Sequence, residues 1–317
     1  MIACIFPGQG SQYIGMGKEF YDHFSYVTDL FIKSEKITGI PVRKLCFEGP
    51  MEELTQTENL QVCLTVINLG CFAVFVNEVL KGDKSKISFV AGHSLGEYSA
   101  LFAAEVLSLE EVLLAVKLRG KVMQEAGGKT PSGMYAIIGL EKNEVENLIN
   151  QVEGLVVVAN FNSPKQLVIS GELKAIEEVA QKVKALGGKA VKLKVSAGFH
   201  SPFMKEAEEK LAPFLENLSW EDPKIPVVSN VSGKIETEAE RLKTLMKSQM
   251  TSSVRWTDCV QCMYQNGGRT FVELGPKKVL CNLITQTLEN QPFHCFNLEN
   301  LETLSNLEKT LQINLVR

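Results

Sequence analysis

Short apolar runs that stop at glycine or proline recur along the chain, and stretches with helical spacing separate them. Ile2–Phe6, Ile87–Ala91 and Thr270–Leu274 are runs of this kind, and Ile225–Asn230 is also predicted to be a strand. An apolar run of about four to eight residues bounded by turn residues is typical of a strand buried on both faces. Because such strands alternate with helices, the pattern predicts a mostly parallel α/β sheet.

Helical periodicity fills most of the remaining chain. It continues to about Lys81 after the first strand and restarts at Gly96 after the second. Further helices are predicted at about Leu109–Ala126, Pro202–Leu218, Arg241–Met250 and Trp256–Gln265, and another after Pro276.

The segment that follows the glycine-rich linker Gly127–Gly133 has an element order of its own. We predict, in chain order, strand Met134–Leu140, helix Lys142–Gln151, strands Leu155–Asn160 and Gln166–Ser170, helix Leu173–Leu186 and strand Ala190–Val195. This βαββαβ order is that of a ferredoxin-like unit. We therefore expect a ferredoxin-like small domain at residues 128–197, inserted into a large α/β domain formed by residues 1–127 and 198–317.

Composition and charge narrow the class of protein. The 317 residues are 45% hydrophobic and 22% charged, with a net charge of −4, which is ordinary for a soluble globular protein and gives no reason to expect nucleic-acid binding. The start MIACIFPGQG lacks the features of a secretory signal. The apolar stretch Val62–Val76 carries Asn68 and Gly70 and is expected to be too short to span a membrane. We expect a cytoplasmic protein that does not cross a membrane.

The eight cysteines are scattered along the chain, and several lie in apolar runs. In a chain without a secretory signal they are expected to be reduced and buried. Cys259 and Cys262 have CxxC spacing, but a zinc or redox site would need a second ligand pair or a thioredoxin-like context, and the sequence shows neither. We therefore predict no metal site.

The pentapeptide Gly92-His93-Ser94-Leu95-Gly96 is the strongest chemical signal in the sequence. It is a GxSxG motif between a predicted strand and a predicted helix, which is the context of a nucleophile elbow. The glycines permit a tight turn that exposes the serine, and the start of the helix directs its amide dipoles at the site. The motif predicts Ser94 as a nucleophile, and the alternative is a glycine-rich loop with an incidental serine.

An exposed serine needs a base, and the chain has four histidines. His23 lies in a polar amphipathic stretch, His93 is expected to point away from the neighbouring serine, and His294 has nothing chemical nearby in sequence. His200 lies at a strand-to-helix transition, where active-site residues of open α/β sheets are found. His200 is the candidate base, and the alternative is a histidine that packs in the core or caps a helix. The sequence shows no evident aspartate or glutamate to complete a Ser-His-acid triad. A Ser-His dyad whose histidine is oriented by a backbone carbonyl fits the sequence at least as well.

Two further segments bear on the candidate site. Arg119 lies on the second helix after the elbow, and its guanidinium can hold a carboxylate through two parallel hydrogen bonds; the alternative is a solvated helix face. The loop Phe6–Gln12 is rich in glycine but is not a GxGxxG fingerprint, which excludes dinucleotide binding. It could supply one amide of an oxyanion hole, with Leu95 supplying the other.

These segments together resemble the malonyl-CoA:acyl-carrier-protein transacylase family over nearly the whole chain. The matching segments, in the order of the family, are FPGQGSQ, GHSLGEYSAL, KLRG, ANFNSP, GFHSPFM, SNVSG, SQMTSSVRW and FVELGP. The resemblance implies an α/β-hydrolase-like large domain with a mostly parallel sheet and a ferredoxin-like inserted domain. It also implies transfer of a malonyl group from malonyl-CoA to the phosphopantetheine thiol of an acyl carrier protein, by way of an ester on the serine.

The resemblance assigns roles to individual residues. Ser94 is similar to the family's nucleophile and His200 to its general base and acid. The backbone carbonyl of Gln249 matches the group that orients the histidine, and Arg119 matches the clamp for the free malonyl carboxylate.

The resemblance also places the oxyanion hole and a specificity residue. The backbone amides of Gln9 and Leu95 match the oxyanion hole. The ring of Phe199, directly before the histidine, would crowd a methyl branch on the acyl group; because one methyl group is worth only ~1–3 kcal/mol, this predicts a preference for malonyl.

Several properties of the family remain open for this chain. The resemblance implies a monomer with no bound cofactor, and it leaves open whether the carrier protein serves fatty-acid or polyketide synthesis. The chain is similar to free-standing acyltransferases of polyketide synthases as well. The alternative functions are a serine thioesterase or acyl hydrolase and a non-catalytic protein that docks on a synthase. Arg119 discriminates against the hydrolase, which needs no carboxylate clamp.

Overall fold

The strands form two separate sheets in the computed structural model, which describes residues 1–127, 131–195 and 197–315. In chain order they are β1 (Ile2–Phe6), β2 (Ile87–Gly92), β3 (Ser132–Ile138), β4 (Val156–Ser163), β5 (Gln166–Glu172), β6 (Lys189–Lys192), β7 (Val227–Val228), β8 (Ile235–Glu236), β9 (Thr270–Leu274) and β10 (His294–Leu298).

The larger sheet has the strand order β10-β9-β1-β2-β7-β8. Its central strand β1 pairs in parallel with both β2 and β9, and all the remaining pairs are parallel except the edge pair β7–β8. Parallel strands place their carboxyl ends along the same edge of the sheet, where ligand sites of open α/β folds lie. The loops that follow β1, β2 and β9 therefore meet at one edge.

Helices fill the connections between the strands of both sheets. They are α1 (Lys18–His23), α2 (Ser25–Thr38), α3 (Val42–Phe47), α4 (Met51–Leu54), α5 (Thr57–Val74), α6 (Gly96–Ala103), α7 (Leu109–Gly127), α8 (Lys142–Ile149), α9 (Leu173–Ala185), α10 (Lys205–Glu216), α11 (Ala239–Lys247), α12 (Trp256–Gln265), α13 (Val279–Thr287) and α14 (Leu301–Leu315). Short 3₁₀ turns lie at Lys84–Lys86 and Pro202–Met204.

Helix α5 runs through the core of the larger unit. A π-helical turn at Phe75–Val79 extends it, so that the helical segment Thr57–Val79 has 23 residues and is long and apolar enough to cross a membrane. The expectation that this stretch is too short is therefore wrong. Most of its residues are nevertheless buried inside the protein, as those of a core helix are.

The smaller sheet has the strand order β4-β5-β3-β6, and every neighbouring pair is antiparallel. Its two helices contribute Val145 of α8 and Val179 of α9 to a separate apolar core with Ile137 and Ile169 of the sheet. This is the ferredoxin-like arrangement, with strands and helices in the predicted βαββαβ order. Backbone hydrogen bonds join β4 to the larger unit, where Phe161 N donates to Val254 O at 2.9 Å.

The prediction of a mostly parallel α/β sheet with a ferredoxin-like companion is confirmed. Strand β7 is shorter than predicted, because only Val227 and Val228 pair with a neighbour. The predicted helix Pro202–Leu218 divides into a 3₁₀ turn and α10, and neither β10 nor α14 was predicted. The domain boundaries stay a prediction, and residues 128–130 of the proposed linker lie outside the described residues.

The cysteines differ from the expectation that all of them are reduced. Cys281 of α13 and Cys295 of β10 form a disulfide that ties the helix to the edge strand of the larger sheet. The other six are free, and five of these six are buried. Cys259 is buried and Cys262 is partly exposed on α12, without a disulfide between them.

Candidate active site

Ser94 occupies the sharp turn between the end of β2 and the start of α6, at a φ of 51°. The two glycines of the motif are required by the packing of this turn. A Cβ atom at Gly92 would lie 1.9 Å from the carbonyl carbon of Gly96, and one at Gly96 would lie 2.0 Å from the carbonyl oxygen of Phe6. Only glycine fits either position, and the strained serine conformation between them is typical of a nucleophile elbow.

Asn230, in the loop after β7, holds this turn in place from the neighbouring strand. Its Oδ1 accepts a hydrogen bond from Ser94 N at 2.6 Å, and its Nδ2 donates to Gly92 O at 2.6 Å. The side chain thus satisfies backbone groups on both sides of the elbow, inside a buried environment where an unpaired group would be costly. Asn230 falls in the SNVSG segment, but sequence reasoning gave it no role.

His200 and Ser94 meet at this edge of the sheet, as predicted. Ser94 Oγ donates to His200 Nε2 at 2.7 Å. On the other side of the ring, Nδ1 donates to Gln249 O at 3.1 Å and to Ser252 O at 3.0 Å. Because both of these partners are carbonyl oxygens, Nδ1 carries the proton and Nε2 is left as the acceptor for the serine hydroxyl. Ser252 was not identified from the sequence.

The imidazole of His200 is held in its neutral form. Its side chain is buried, and burial is the main cause that lowers the pKa of His200 to about 3, with smaller contributions from the charges of Arg119 and His93. A neutral imidazole with Nε2 free to accept a proton is the form a general base requires.

Arg119 is buried beside the serine instead of lying on a solvated helix face. Its Nη2 donates to Ser94 Oγ at 3.1 Å and to Gln249 Oε1 at 3.2 Å, and its Nη1 donates to Gln61 Oε1 at 2.8 Å. Its Nε has no hydrogen-bond partner, and no carboxylate forms an ion pair with it in the part of the chain that the structure describes. Glu97 acts on the guanidinium only through its electric field, so the guanidinium is available for direct contact with an anionic ligand.

A cavity of about 300 Å³ lies over the serine hydroxyl. Gln9, Leu95 and Phe199 line it together with Ser94, Arg119 and His200. No described residue accepts a hydrogen bond from the backbone amide of Gln9 or Leu95, so both N–H groups are available to a ligand. Gln249 meets the site from behind, through its contacts with His200 and Arg119. The structure therefore brings every site residue predicted from the sequence to one place.

The remaining histidines lie outside this arrangement or face another way. His93 lines the cavity, but its Nε2 is hydrogen-bonded to Asn162 Oδ1 at 2.8 Å, away from the serine hydroxyl, as expected. His23 and His294 are exposed. Over the described ranges, no group of three or more histidine, cysteine, aspartate or glutamate side chains is placed to hold a metal ion.

Comparisons with known proteins agree with this geometry. Residues 3–312 match the acyl transferase domain family. The malonyl CoA-acyl carrier protein transacylase of Bacillus subtilis (strain 168) is 38% identical over 315 residues, which cover 98% of this chain and 97% of that protein. The transacylase of the same name from Haemophilus influenzae is 41% identical over 284 residues, covering 89% of this chain and 90% of the relative.

A solved structure shows the same fold. It contains a type II polyketide synthase acyl-carrier protein in complex with its malonyl-transacylase, and it superposes with a TM-score of 0.92 at 36% sequence identity, covering 98% of this chain and 99% of that one. Family, relatives and architecture agree over almost the full length. The chain belongs to the acyl transferase domain family and, within it, to the malonyl-CoA:acyl-carrier-protein transacylases.

Proposed function

We propose that the protein transfers a malonyl group from malonyl-CoA to the phosphopantetheine thiol of an acyl carrier protein through an ester on Ser94. The observation that carries the proposal is the buried guanidinium of Arg119, which lies 3.1 Å from the serine hydroxyl and has no carboxylate partner among the described residues. An acyl group that ends in a carboxylate supplies that partner when its thioester carbon lies over Ser94. The similarity to the malonyl CoA-acyl carrier protein transacylases of Bacillus subtilis and Haemophilus influenzae supports the same reaction.

The first half-reaction forms the acyl-enzyme. His200 Nε2 takes the proton of Ser94 Oγ as the oxygen attacks the thioester carbonyl of malonyl-CoA. The amides of Gln9 and Leu95 donate to the oxyanion of the tetrahedral intermediate, and loss of one such donor typically costs ~100–1000-fold in rate. The intermediate collapses as the bond to sulfur breaks, and the CoA thiolate leaves with the proton from His200.

The second half-reaction reverses these steps with a new thiol. His200 takes the proton of the phosphopantetheine thiol, whose sulfur attacks the malonyl ester, and then returns the proton to Ser94 as the ester bond breaks. Throughout, the carbonyl oxygens of Gln249 and Ser252 hold the Nδ1–H of the histidine and stabilise its charged form. Two carbonyls therefore take the part that an aspartate takes in other serine enzymes.

The cavity also accounts for the choice of acyl group. Arg119 recognises the free carboxylate, and the buried ring of Phe199 limits the space for a branch at the carbon between the two carbonyl groups. We expect malonyl to be preferred over methylmalonyl by the ~1–3 kcal/mol that one methyl group is worth.

Several further properties belong to the same proposal. The enzyme uses no bound cofactor or metal, since side chains and backbone amides supply each proton transfer and the charge stabilisation. It acts as a monomer in the cytoplasm, on a carrier protein of fatty-acid or polyketide synthesis. The solved complex of a related transacylase with a polyketide carrier protein supports a carrier protein as the partner.

Intact-protein mass spectrometry tests the proposed reaction. After mixing with malonyl-CoA, the wild-type protein should gain one malonyl group, stable without carrier protein, and should lose it when the phosphopantetheine-loaded carrier protein is added. Ser94→Ala should gain none. Rapid loss of the group to water would favour an acyl hydrolase, and no labelling of the wild type would favour a non-catalytic docking protein.

A further inference from the structure

Glu97 is a buried carboxyl group that takes no part in the reaction as described so far. It lies directly after Gly96 in α6, and its side chain is fully buried. Its Oε1 accepts a hydrogen bond from Asn230 N at 3.0 Å, and its Oε2 accepts one from Gln249 Nε2 at 2.6 Å. Burial raises the pKa of Glu97 to about 7. A carboxyl group is costly to bury, so this position calls for a role that an apolar residue cannot fill.

The side-chain amide of Gln249 connects Glu97 to the candidate clamp. Its Nε2 donates to Glu97 Oε2 and, at 3.1 Å, to Ser94 O, while its Oε1 accepts from Arg119 Nη2 at 3.2 Å. An amide has one end that donates and one end that accepts. Both oxygens of Glu97 act as acceptors, one for Asn230 N and one for Gln249 Nε2, and a guanidinium can only donate, so one orientation of the Gln249 amide satisfies both neighbours.

The orientation of Gln249 in turn fixes the guanidinium. Gln249 Oε1 and Gln61 Oε1 each accept from one terminal nitrogen of Arg119, and the same Nη2 reaches Ser94 Oγ. The two amide oxygens hold the two terminal nitrogens of the guanidinium, and they set the direction in which it meets a ligand carboxylate. Parallel hydrogen bonds to a carboxylate depend on this direction.

We propose that Glu97 is a positioning residue for the carboxylate clamp, because it sets the direction of the hydrogen-bond chain from Glu97 through Gln249 to Arg119. The role depends on the proposed function of Arg119 as the group that binds the malonyl carboxylate. Glu97 acting merely as a nearby negative charge has the opposite consequence, since its neutralisation would then strengthen the binding of an anionic acyl group.

Glu97→Gln separates these two roles. The backbone N–H of Asn230 can only donate, so the oxygen of the introduced amide has to stay beside it, and the introduced NH₂ group turns toward Gln249. Two donors then face each other unless Gln249 also turns over. If it does, its NH₂ group faces Arg119 and its oxygen faces Ser94 O, so the conflict moves to the clamp.

The experiment compares loading of Ser94 from malonyl-CoA and from acetyl-CoA by quenched-flow intact-mass measurement. For Glu97→Gln we expect kcat/KM with malonyl-CoA to fall ~10–100-fold, mainly through KM, as for loss of an oriented hydrogen bond to a charged group, and loading with acetyl-CoA to change much less. In a Ser94→Ala background, where no transfer occurs, the Kd for malonyl-CoA should rise by a similar factor.

Glu273→Gln is the matched control. Glu273 is equally buried, and burial raises its pKa to about 7, but its oxygens accept from the backbone amides of Leu280 and Cys281, both at 2.9 Å. These partners lie apart from Gln249, so the substitution should leave the ratio of malonyl to acetyl loading unchanged whatever it does to stability. If Glu273→Gln shifts that ratio as much as Glu97→Gln does, Glu97 has only a structural role.

A second variant keeps the test decisive if Glu97→Gln fails to fold. Gln249→Met removes the amide but keeps the backbone carbonyl that faces His200, and it should lower the ratio of malonyl to acetyl loading as Glu97→Gln does, whatever it does to both rates through Ser94 O. In the double variant, Glu97→Gln should add little to Gln249→Met. Tighter malonyl-CoA binding, or equal losses with both substrates, would overturn the positioning role. Arg119→Met shows which of the two proposals fails. If Arg119→Met loses malonyl loading selectively and Glu97→Gln does not, Arg119 is the carboxylate clamp and Glu97 does not position it.

Discussion

Arg119→Met removes the guanidinium while retaining a long, unbranched side chain in the buried space. Loading from malonyl-CoA loses the charge-assisted hydrogen bonds to the acyl carboxylate and leaves that carboxylate unpaired in the cavity. Removal of one partner of a buried ion pair costs about 3–5 kcal/mol, which corresponds to a fall of roughly 150- to 5000-fold in kcat/KM. Acetyl-CoA has no carboxylate, so its loading should change only slightly.

The stability of the free protein should respond much less to the same substitution. Arg119 is desolvated and has no ion-pair partner among the described residues; burial lowers its pKa and makes the charge costly to keep. Its substitution leaves the oxygens of Gln61 and Gln249 without a donor, and this cost opposes the gain from removing the charge. The melting temperature should therefore change far less than the activity does.

Quenched-flow loading with both thioesters measures the selectivity, and a thermal melt of each variant controls for folding. Arg119→Lys is the informative companion, because a lysine keeps the charge but cannot form two parallel hydrogen bonds, and it should lie between the wild type and Arg119→Met. Equal losses of malonyl and acetyl loading in Arg119→Met would refute the carboxylate clamp.

Further predictions concern the rest of the site. Asn230→Ala leaves Ser94 N and Gly92 O without their partner, so loading from malonyl-CoA and acetyl-CoA should fall by the same factor; a selective loss would contradict a role in holding the elbow. Phe199→Ser opens space for a methyl branch and should narrow the preference for malonyl over methylmalonyl by ~10–200-fold at most, as measured by competition between the two thioesters. Gly96→Ala should abolish loading or prevent folding, as seen by mass spectrometry and circular dichroism, since its Cβ would meet Phe6 O at 2.0 Å. Because burial lowers the pKa of His200 from 6.5 to about 3, its contribution to stability is present above pH 6.5 and is lost as the pH falls toward 3, with a slope of up to ~1.4 kcal/mol per pH unit. Denaturant titrations of the wild type and His200→Gln across this range should converge at low pH, and a constant difference would contradict the burial of a neutral imidazole.

Local patterns in the sequence were enough to predict the elements that frame the site. The strands β1, β2 and β9 are short apolar runs with clear stops, and the GxSxG turn needs its glycines for reasons that act within a few residues. The order of strands and helices predicted Ser94 at the end of β2 and made His200 a candidate base, but only the folded chain shows the imidazole beside the serine hydroxyl, because β6, the strand before His200, belongs to the smaller sheet.

The missing parts depend on contacts between segments distant in the chain. Asn230, Ser252 and Gln61 are ordinary polar residues in a loop or a core helix, and only the folded chain shows that each satisfies a group at the site. Strand β10 was missed because its half-exposed edge position gives it no apolar run. The disulfide between Cys281 and Cys295 likewise depends on the packing of α13 against that strand.

The separation of Ser94 from its base has a consequence for the order in which the protein matures during synthesis. The two residues lie 106 positions apart, with the smaller sheet encoded between them, and the carbonyl groups that orient the imidazole follow 49 and 52 residues later. During synthesis, Ser94 emerges long before His200. The carbonyl groups that hold the imidazole of His200 in one tautomer emerge later still. Incomplete chains on the ribosome should therefore be inert toward thioesters, and reactivity should appear only after Ser252 has emerged.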